Sequence, residues 1–263
     1  MELTGTVVQV WILNKGEDMK KYLLPLILIL CLIFSVYCFA TAWDVSTATY
    51  DSKYKSVNSE ESKPRSVAFK SDGSKMYIVG TGNDTVYQYS LSTAWDVSTA
   101  SYDSKYKSVS SEETYPVGVA FKPDGSKMYI VGSSSDTVYQ YSLSTAWDVS
   151  TSSYDSKYKS VSSEESTPVD VVFKPDGSKM YIMGWSSDTV YQYSLSTAWD
   201  VSTASYDSKY KSVSSEDTYP YSVAFKPDGS KMYIVGYGND TIYQYSLPVE
   251  VELNNSIFFG CNF

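Results

Sequence analysis

The chain has 263 residues and a formal net charge of −9, from 21 Lys and Arg against 30 Asp and Glu. This balance argues against a nucleic-acid partner, because binding phosphates requires a basic surface. Histidine is absent, which excludes Ser-His and Cys-His nucleophile pairs and most zinc sites. The 26 tyrosines favour β-strands over helices.

The first forty residues have the pattern of an export signal. An apolar run over 22–40 follows Lys20 and Lys21, which is the order of regions in a secretory signal peptide. We therefore expect residues 19–40 to direct the protein to a secreted, periplasmic or cell-surface location. We then expect Met19 to be the true start and residues 1–18 to be an upstream extension. The alternative is an uncleaved anchor, because a run of this length nearly spans a bilayer; only then do we expect membrane contact.

Residues 41–248 form a repeat with a period of 52 residues. The segments 41–92, 93–144, 145–196 and 197–248 align without a gap, and a tail over 249–263 follows. A tryptophan, a phenylalanine and an aspartate keep the same phase in every copy: Trp43, Trp95, Trp147 and Trp199; Phe69, Phe121, Phe173 and Phe225; Asp84, Asp136, Asp188 and Asp240. A strict period of this kind indicates stacked supersecondary units.

Each repeat predicts four strands, here labelled a to d. In the first copy they cover 67–69 (a), 76–79 (b), 85–91 (c) and Ser52–Val57 (d). Strand b is apolar on both faces, as expected of a sheet that lies between two others. Strand d carries lysines, which protect an exposed sheet edge. A meander with a buried interior and a charged rim is typical of a propeller blade, so we predict an all-β, four-bladed β-propeller.

The repeat resembles known propeller families in about half of its length. The segment Phe-Lys-Pro-Asp-Gly-Ser-Lys-Met-Tyr-Ile-Val-Gly that begins at Phe121 is similar to the core of WD40-like and YVTN-type bacterial repeats. The WD40 Trp-Asp pair is replaced by Tyr141 and Ser142, and its Gly-His pair is absent, so its hydrogen-bond network is not expected. The resemblance also implies propeller lactonases and lyases as relatives, but those use histidines or metal sites without a counterpart in this sequence.

Three arrangements could close the ring. Strand d of the first copy, Ser52–Val57, lacks a blade, and the last blade lacks its fourth strand; pairing the two closes a four-bladed ring. Two chains could instead combine into an eight-bladed homodimer. The tail could also supply the strand, because Val249, Val251 and Leu253 alternate with glutamates.

The acidic motifs of the repeat predict structural roles. The Ser-Glu-Glu runs at 59–61 and 163–165 are expected to be solvated loop charge, and Asp72 to stabilise its own turn. Asp84 and its equivalents are expected to serve the turn before strand c, because a calcium site needs several oxygens. The four repeated tryptophans should pack between blades. We therefore expect no catalytic residue, no metal and no cofactor.

The copies differ mainly before strand a and between strands b and c, two connections that share one face of a meander. Loops on a rigid scaffold commonly carry recognition, although relaxed drift of exposed loops would give the same pattern. The residues expected to bind a protein or glycan there are Trp185, Tyr237, Tyr221, Tyr219, Tyr115, Arg65, Lys63 and Asn83. The sequence thus predicts an exported, non-enzymatic binding or adhesion module. The alternatives are a structural component of a surface assembly and, more remotely, a propeller hydrolase or lyase.

Overall fold

A computed structural model describes residues 49–248 of the chain, which fold into four antiparallel sheets. We call them blades 1 to 4. Blade 1 contains β1 (Pro64–Phe69), β2 (Lys75–Gly80), β3 (Thr85–Leu91) and β4 (Ala100–Ser108). Blade 2 contains β5 (Pro116–Phe121), β6 (Lys127–Gly132), β7 (Thr137–Leu143) and β8 (Ser152–Ser160). Blade 3 contains β9 (Pro168–Phe173), β10 (Lys179–Gly184), β11 (Thr189–Leu195) and β12 (Ala204–Ser212). Blade 4 contains β13 (Pro220–Phe225), β14 (Lys231–Gly236) and β15 (Thr241–Ser246).

The second strand of each blade is buried on both faces, as its sequence predicts. In β6, Met128, Tyr129, Ile130 and Val131 are all fully buried. Alternate side chains of a strand point to opposite faces, so both faces of this sheet are covered by neighbouring blades. The burial of this apolar strand contributes hydrophobic stabilisation to the packing of the blades.

The blades pack in chain order through a contact that repeats. The rings of Tyr77 in β2 and Phe121 in β5 lie 4.4 Å apart. The equivalent pairs are Tyr129 with Phe173 at 4.4 Å and Tyr181 with Phe225 at 4.5 Å. Trp147 and Trp199 close over the first two of these pairs, as expected of inter-blade tryptophans. The prediction of an all-β propeller of four blades built from 52-residue repeats is therefore confirmed.

The prediction of a strand over Ser52–Val57 is wrong. This segment pairs with no strand among the described residues, and blade 4 has three strands in the described part of the chain. Its side chains instead contact blade 1: Lys53 forms an ion pair with Asp96 at 2.7 Å, and Val57 packs beside the core of that blade. Ring closure by pairing this segment with the last blade is thus not observed.

The predictions for residues 1–18, for the signal segment 19–40 and for the tail 249–263 lie outside the described residues. Within the range 49–248, no helix has the length and apolar character needed to cross a membrane.

Candidate functional site

One end of the propeller is built by the connections that the sequence analysis identified as variable. Glu113, in the connection before β5, accepts hydrogen bonds from the main-chain N–H groups of Tyr115 at 2.7 Å and Ser134 at 3.3 Å. Its other oxygen accepts from the hydroxyl of Ser135 at 2.5 Å. Because Tyr115 precedes β5 and the two serines follow β6, this carboxylate joins both variable connections of the blade.

In every blade one oxygen of an almost fully buried acid accepts a main-chain hydrogen bond from each of the two connections. The four acids are Glu61, Glu113, Glu165 and Asp217. The sequence-based expectation that the second glutamate of each Ser-Glu-Glu run is solvated is therefore wrong. A buried carboxylate is stabilised when main-chain N–H groups satisfy it. The variable loops thus have a fixed backbone, on which side chains that differ between blades are displayed.

The innermost strands of the four blades line a cavity of about 440 Å³. Its wall is mostly apolar, with valines of β5, β9 and β13. The polar side chains that line it come from blades 1, 3 and 4: Arg65, Ser66, Asp170, Tyr221 and Ser222. An apolar cavity with a few converging polar groups is the usual form of a small-molecule site.

Aromatic rings cluster at the end of this cavity that carries the variable loops. The ring of Trp185 lies 6.1 Å from those of Tyr219 and Tyr221, and Tyr221 lies 5.9 Å from Tyr237. Trp185 keeps 37% of its surface exposed, and together with Tyr115 and Tyr221 it lines a second cavity of about 350 Å³. Residues of blades 3 and 4 therefore form an aromatic surface beside the cavity.

Arg65 connects three blades at this end. Its guanidinium donates hydrogen bonds to the hydroxyl of Tyr221 at 2.7 Å and that of Tyr115 at 2.8 Å. It also lies 5.5 Å from the ring centre of Tyr115 and donates to Thr81 at 3.4 Å. A guanidinium has five N–H groups. These three hydrogen bonds therefore leave two N–H groups that can donate to a further acceptor.

Asp170 in β9 is a buried carboxyl group on the wall of the central cavity. It accepts hydrogen bonds from the hydroxyl of Ser222 at 2.6 Å and from the N–H groups of Val223 at 3.0 Å and Val171 at 2.9 Å. Burial raises the pKa of Asp170 to about 6, although these hydrogen bonds oppose the rise. Such a carboxyl group can exchange a proton near neutral pH.

The structure brings six of the eight predicted site residues together: Trp185, Tyr219, Tyr221, Tyr237, Tyr115 and Arg65. Asn83 is separate from them, because its amide donates to the carbonyl of Glu60 at 2.9 Å and to the hydroxyl of Tyr87 at 3.2 Å. Lys63 has an exposed side chain, and its main-chain N–H donates to Glu61 at 2.7 Å.

Sequence reasoning missed Asp170 as a site residue. Its position is occupied by Ser66, Gly118 and Ser222 in the other repeats. The sequence did contain a signal for this residue, because only one of the four repeats has a carboxylate at this position of its innermost strand.

The fold and the mostly apolar cavity with its few converging polar side chains define a β-propeller with the features of a small-molecule site. Residues 41–248 match the model of the family described as lactonase, 7-bladed beta-propeller. The chain therefore belongs to this lactonase family.

Solved structures support the fold. Candidate 6-phosphogluconolactonases from Bacteroides uniformis and Bacteroides fragilis both match with a TM-score of 0.50 and 14% identity, over 70% of this chain and 50% of theirs. A protein from Lactobacillus plantarum matches with a TM-score of 0.50 and 18% identity, over 71% of this chain and 51% of its own. The chain thus spans about half the length of these structures. No protein with a curated description matches the sequence.

The family match overturns the prediction of a non-enzymatic binding or adhesion module, because the family is one of lactonases. The prediction relied on the absence of histidine, which removes imidazole bases. It did not consider that a buried carboxyl group with a pKa near neutrality can take the same role.

Proposed function

We propose that the protein is a lactonase that hydrolyses a lactone at the variable end of the central cavity. The observation that carries this proposal is that two unlike groups, from blades 1 and 3, line the same cavity. Asp170 is a buried carboxyl with a pKa of about 6, and Arg65 is a cation with N–H donors beyond those it uses. Family membership supports the reaction class.

In the proposed reaction, Asp170 acts as the general base. A carboxylate accepts about four hydrogen bonds, and three are occupied by Ser222, Val223 and Val171, so one site remains for water. The base takes a proton as the water oxygen bonds to the lactone carbonyl carbon. The tetrahedral intermediate then loses its ring oxygen, which receives the proton, and a hydroxy acid forms.

Arg65 is proposed to stabilise the negative charge that develops on the carbonyl oxygen. Its guanidinium is held by two tyrosine hydroxyls from different blades, so it needs little reorganisation during the reaction. Fixed donors aimed at a developing oxyanion commonly contribute about 100-fold or more to the rate. The aromatic cluster around Trp185 would bind the less polar face of the substrate.

We propose a sugar lactone as the substrate class. Two of the similar structures are described as 6-phosphogluconolactonases, and a guanidinium suits the phosphate or hydroxyl groups of such a molecule. We also propose export through residues 19–40, so that the activity lies outside the cytoplasm. The similarity of the repeat to WD40-like and YVTN-type sequences supports a common origin with those propellers.

The test measures acid release from glucono-δ-lactone and from 6-phosphoglucono-δ-lactone in a pH-stat, after subtraction of spontaneous hydrolysis. We expect activity that rises with pH through about 6, and at least a roughly 100-fold loss of kcat in Asp170→Ser and Arg65→Ala. Serine occupies the Asp170 position in blades 1 and 4, so that variant should fold.

Asp124→Asn is the matched control, because Asp124 stabilises the turn before β6 by accepting from Ser126 at 2.9 Å. It should keep the wild-type rate. If Asp170→Ser hydrolyses the lactone as fast as the wild type, Asp170 is not the general base. No hydrolysis of either lactone by the wild-type protein would contradict the proposed substrate class.

A further inference from the structure

An unpaired segment before blade 1 has the sequence of an outer blade strand. The eight residues Tyr-Asp-Ser-Lys-Tyr-Lys-Ser-Val occur at 50–57 and, without change, at 102–109, 154–161 and 206–213. The last three copies contribute nearly all of their residues to the outer strands β4, β8 and β12. Only the copy at 50–57 lacks a partner strand in the described part of the chain.

The segment 50–57 shares two features with the paired outer strands, a positive φ at one serine and an ion pair to the following blade. Ser52 has a φ of +58°, and the equivalent residues Ser104, Ser156 and Ser208 have values of +56°, +56° and +54°. Its ion pair with the following blade is also the same: Lys53 contacts Asp96 at 2.7 Å, as Lys105 contacts Asp148 at 2.5 Å. The segment therefore occupies the outer-strand position of a blade that would precede blade 1.

Blade 4 has the complementary deficiency. Its last described strand, β15, has the sequence of β3 with Ile242 in place of Val86, and β3 pairs with β4. In the described residues β15 has no outer partner. The side chain of Ile242 is 54% exposed, whereas Val86 and the equivalent Val138 are fully buried.

The inner flank of blade 1 is exposed as well. Val67 is 52% exposed, whereas its equivalents Val119, Val171 and Val223 are buried. Trp95 is 60% exposed, whereas Trp147 and Trp199 are 9% exposed beneath their neighbouring blades. The two ends of the four-blade unit thus present the two halves of an interface that occurs three times within the chain.

We propose that a second copy of this chain covers both ends, so that two chains form one eight-bladed ring. The β15 strand of each copy pairs with residues 50–57 of the other. The register of β3 with β4 then places Thr241 opposite Ser56, Tyr243 opposite Tyr54 and Gln244 opposite Lys53. Blade 4 of each copy gains its fourth strand, so that every blade has four, and the ring closes with twofold symmetry, the commonest symmetry of homo-oligomers.

A second copy of the chain is favoured over a ring closed by one chain, because consecutive blades are spaced uniformly. The ring centres of the tyrosine and phenylalanine that join consecutive blades lie 4.4, 4.4 and 4.5 Å apart. With this spacing, the outward flanks of blades 1 and 4 remain exposed. Closing a ring of four blades would therefore require the packed blades to change their angle to one another. Rings of up to eight blades are common among propellers. This inference does not depend on the proposed function.

The test is disulfide trapping in a chain that carries Tyr54→Cys and Tyr243→Cys, with Cys31, Cys38 and Cys261 replaced by serine. Oxidation should give a covalent species of two chains, each of 29.4 kDa, on a non-reducing gel. The positive control is Tyr87→Cys with Tyr106→Cys, a pair that faces each other across β3 and β4 and should form a disulfide within one chain.

Three results would overturn the proposal. A disulfide within one chain would indicate a four-bladed ring, and free thiols alongside an oxidised control would indicate that another segment covers β15. A ladder of larger species would indicate an open assembly. Light scattering on the wild-type full chain gives an independent readout: we expect the mass of two chains, and a monomer at micromolar concentration would contradict the proposal.

Ile242→Lys provides a variant without cysteines. The lysine would place a charge in the proposed interface, so we expect a monomer with an unchanged circular dichroism spectrum. Tyr158→Lys, on an exposed position of β8, is the matched control and should remain a dimer. Equal masses for the two variants would count against the interface.

Discussion

The hydroxyl of Tyr77 in blade 1 donates a 2.7 Å hydrogen bond to the main-chain carbonyl of Trp147 in blade 2. Tyr129 makes the same bond to Trp199 one blade further on. Each tyrosine is fully buried and packs on the phenylalanine of the next blade. A single side chain thus joins the blades through both apolar and polar contact.

Tyr77→Phe should therefore destabilise the protein without changing its fold. The substitution keeps the ring packing and leaves a buried carbonyl without its donor, which costs about 1–3 kcal/mol. The free energy of unfolding in urea measures the effect. Tyr106→Phe, at an exposed ring in β4, should change it by less than about 0.5 kcal/mol. Equal losses in the two variants would show that the inter-blade hydrogen bond contributes nothing.

The turns between the first two strands of each blade offer a matched pair of glycines. Gly125 and Gly229 both have a φ of +74°, which costs a side chain about 1–2 kcal/mol. A Cβ on Gly125 would also overlap the indole of Trp147, whereas no described atom lies within 4 Å of a Cβ on Gly229.

We therefore expect Gly125→Ala to lower the free energy of unfolding by at least about 1 kcal/mol more than Gly229→Ala, from the added steric overlap. Both substitutions are made in the Ile242→Lys variant, so that no second copy of the chain covers Gly229. Urea denaturation of the two variants measures the difference. If both variants lose the same amount, the tryptophan moves aside at no cost and does not define the blade interface.

The fold could be predicted from the sequence because the pattern of each structural element occurs in all four repeats. The apolar second strand, the Pro-Asp-Gly turn and the phase of Trp147 all indicated a blade. The segment Ser52–Val57 was predicted as a strand for the same reason, since its sequence is identical to residues 104–109, most of which lie in β4. It remains unpaired because strand formation depends on a neighbouring edge, which a local pattern does not contain.

The site was predicted only in part. Trp185 and Tyr221 were found because they differ between copies on one face. Asp170 was missed because its significance depends on burial, and no sequence pattern states that Ser222 of another blade would lie 2.6 Å away. The roles of Glu61 and Glu165 were misread for the same reason, because adjacent glutamates in a loop are usually solvated.

Glu113 holds two connections of blade 2 together, and its removal should loosen both. Glu113→Ala leaves the N–H groups of Tyr115 and Ser134 without their acceptor, which we expect to cost about 2–3 kcal/mol. Hydrogen exchange should accelerate at these two amides before it does in β6. Glu113→Asp is the control, since blade 4 uses Asp217 for the same bonds. Similar exchange in both variants would argue against the carboxylate as the link.

Asp170 should make stability depend on pH in the direction opposite to that of most carboxylates. Its pKa is about 6 in the folded protein, against 3.8 for the ordinary group. Between these values the folded state binds more protons than the unfolded state, so the free energy of unfolding contributed by this group falls as pH rises. The loss begins near pH 4 and is complete above about pH 6.

Comparison with Asp170→Ser isolates this contribution, because the other ionisable groups are common to both proteins. The difference between 6 and 3.8 corresponds to roughly 3 kcal/mol, so the stability of the wild type relative to the variant should decrease by up to that amount between pH 4 and pH 7. Urea denaturation at each pH provides the two free energies. A relative stability that rises with pH would mean that Ser222 and the two main-chain donors outweigh burial. Asp170 would then be ionised well below pH 6, which would leave it too weak a base for the proposed reaction.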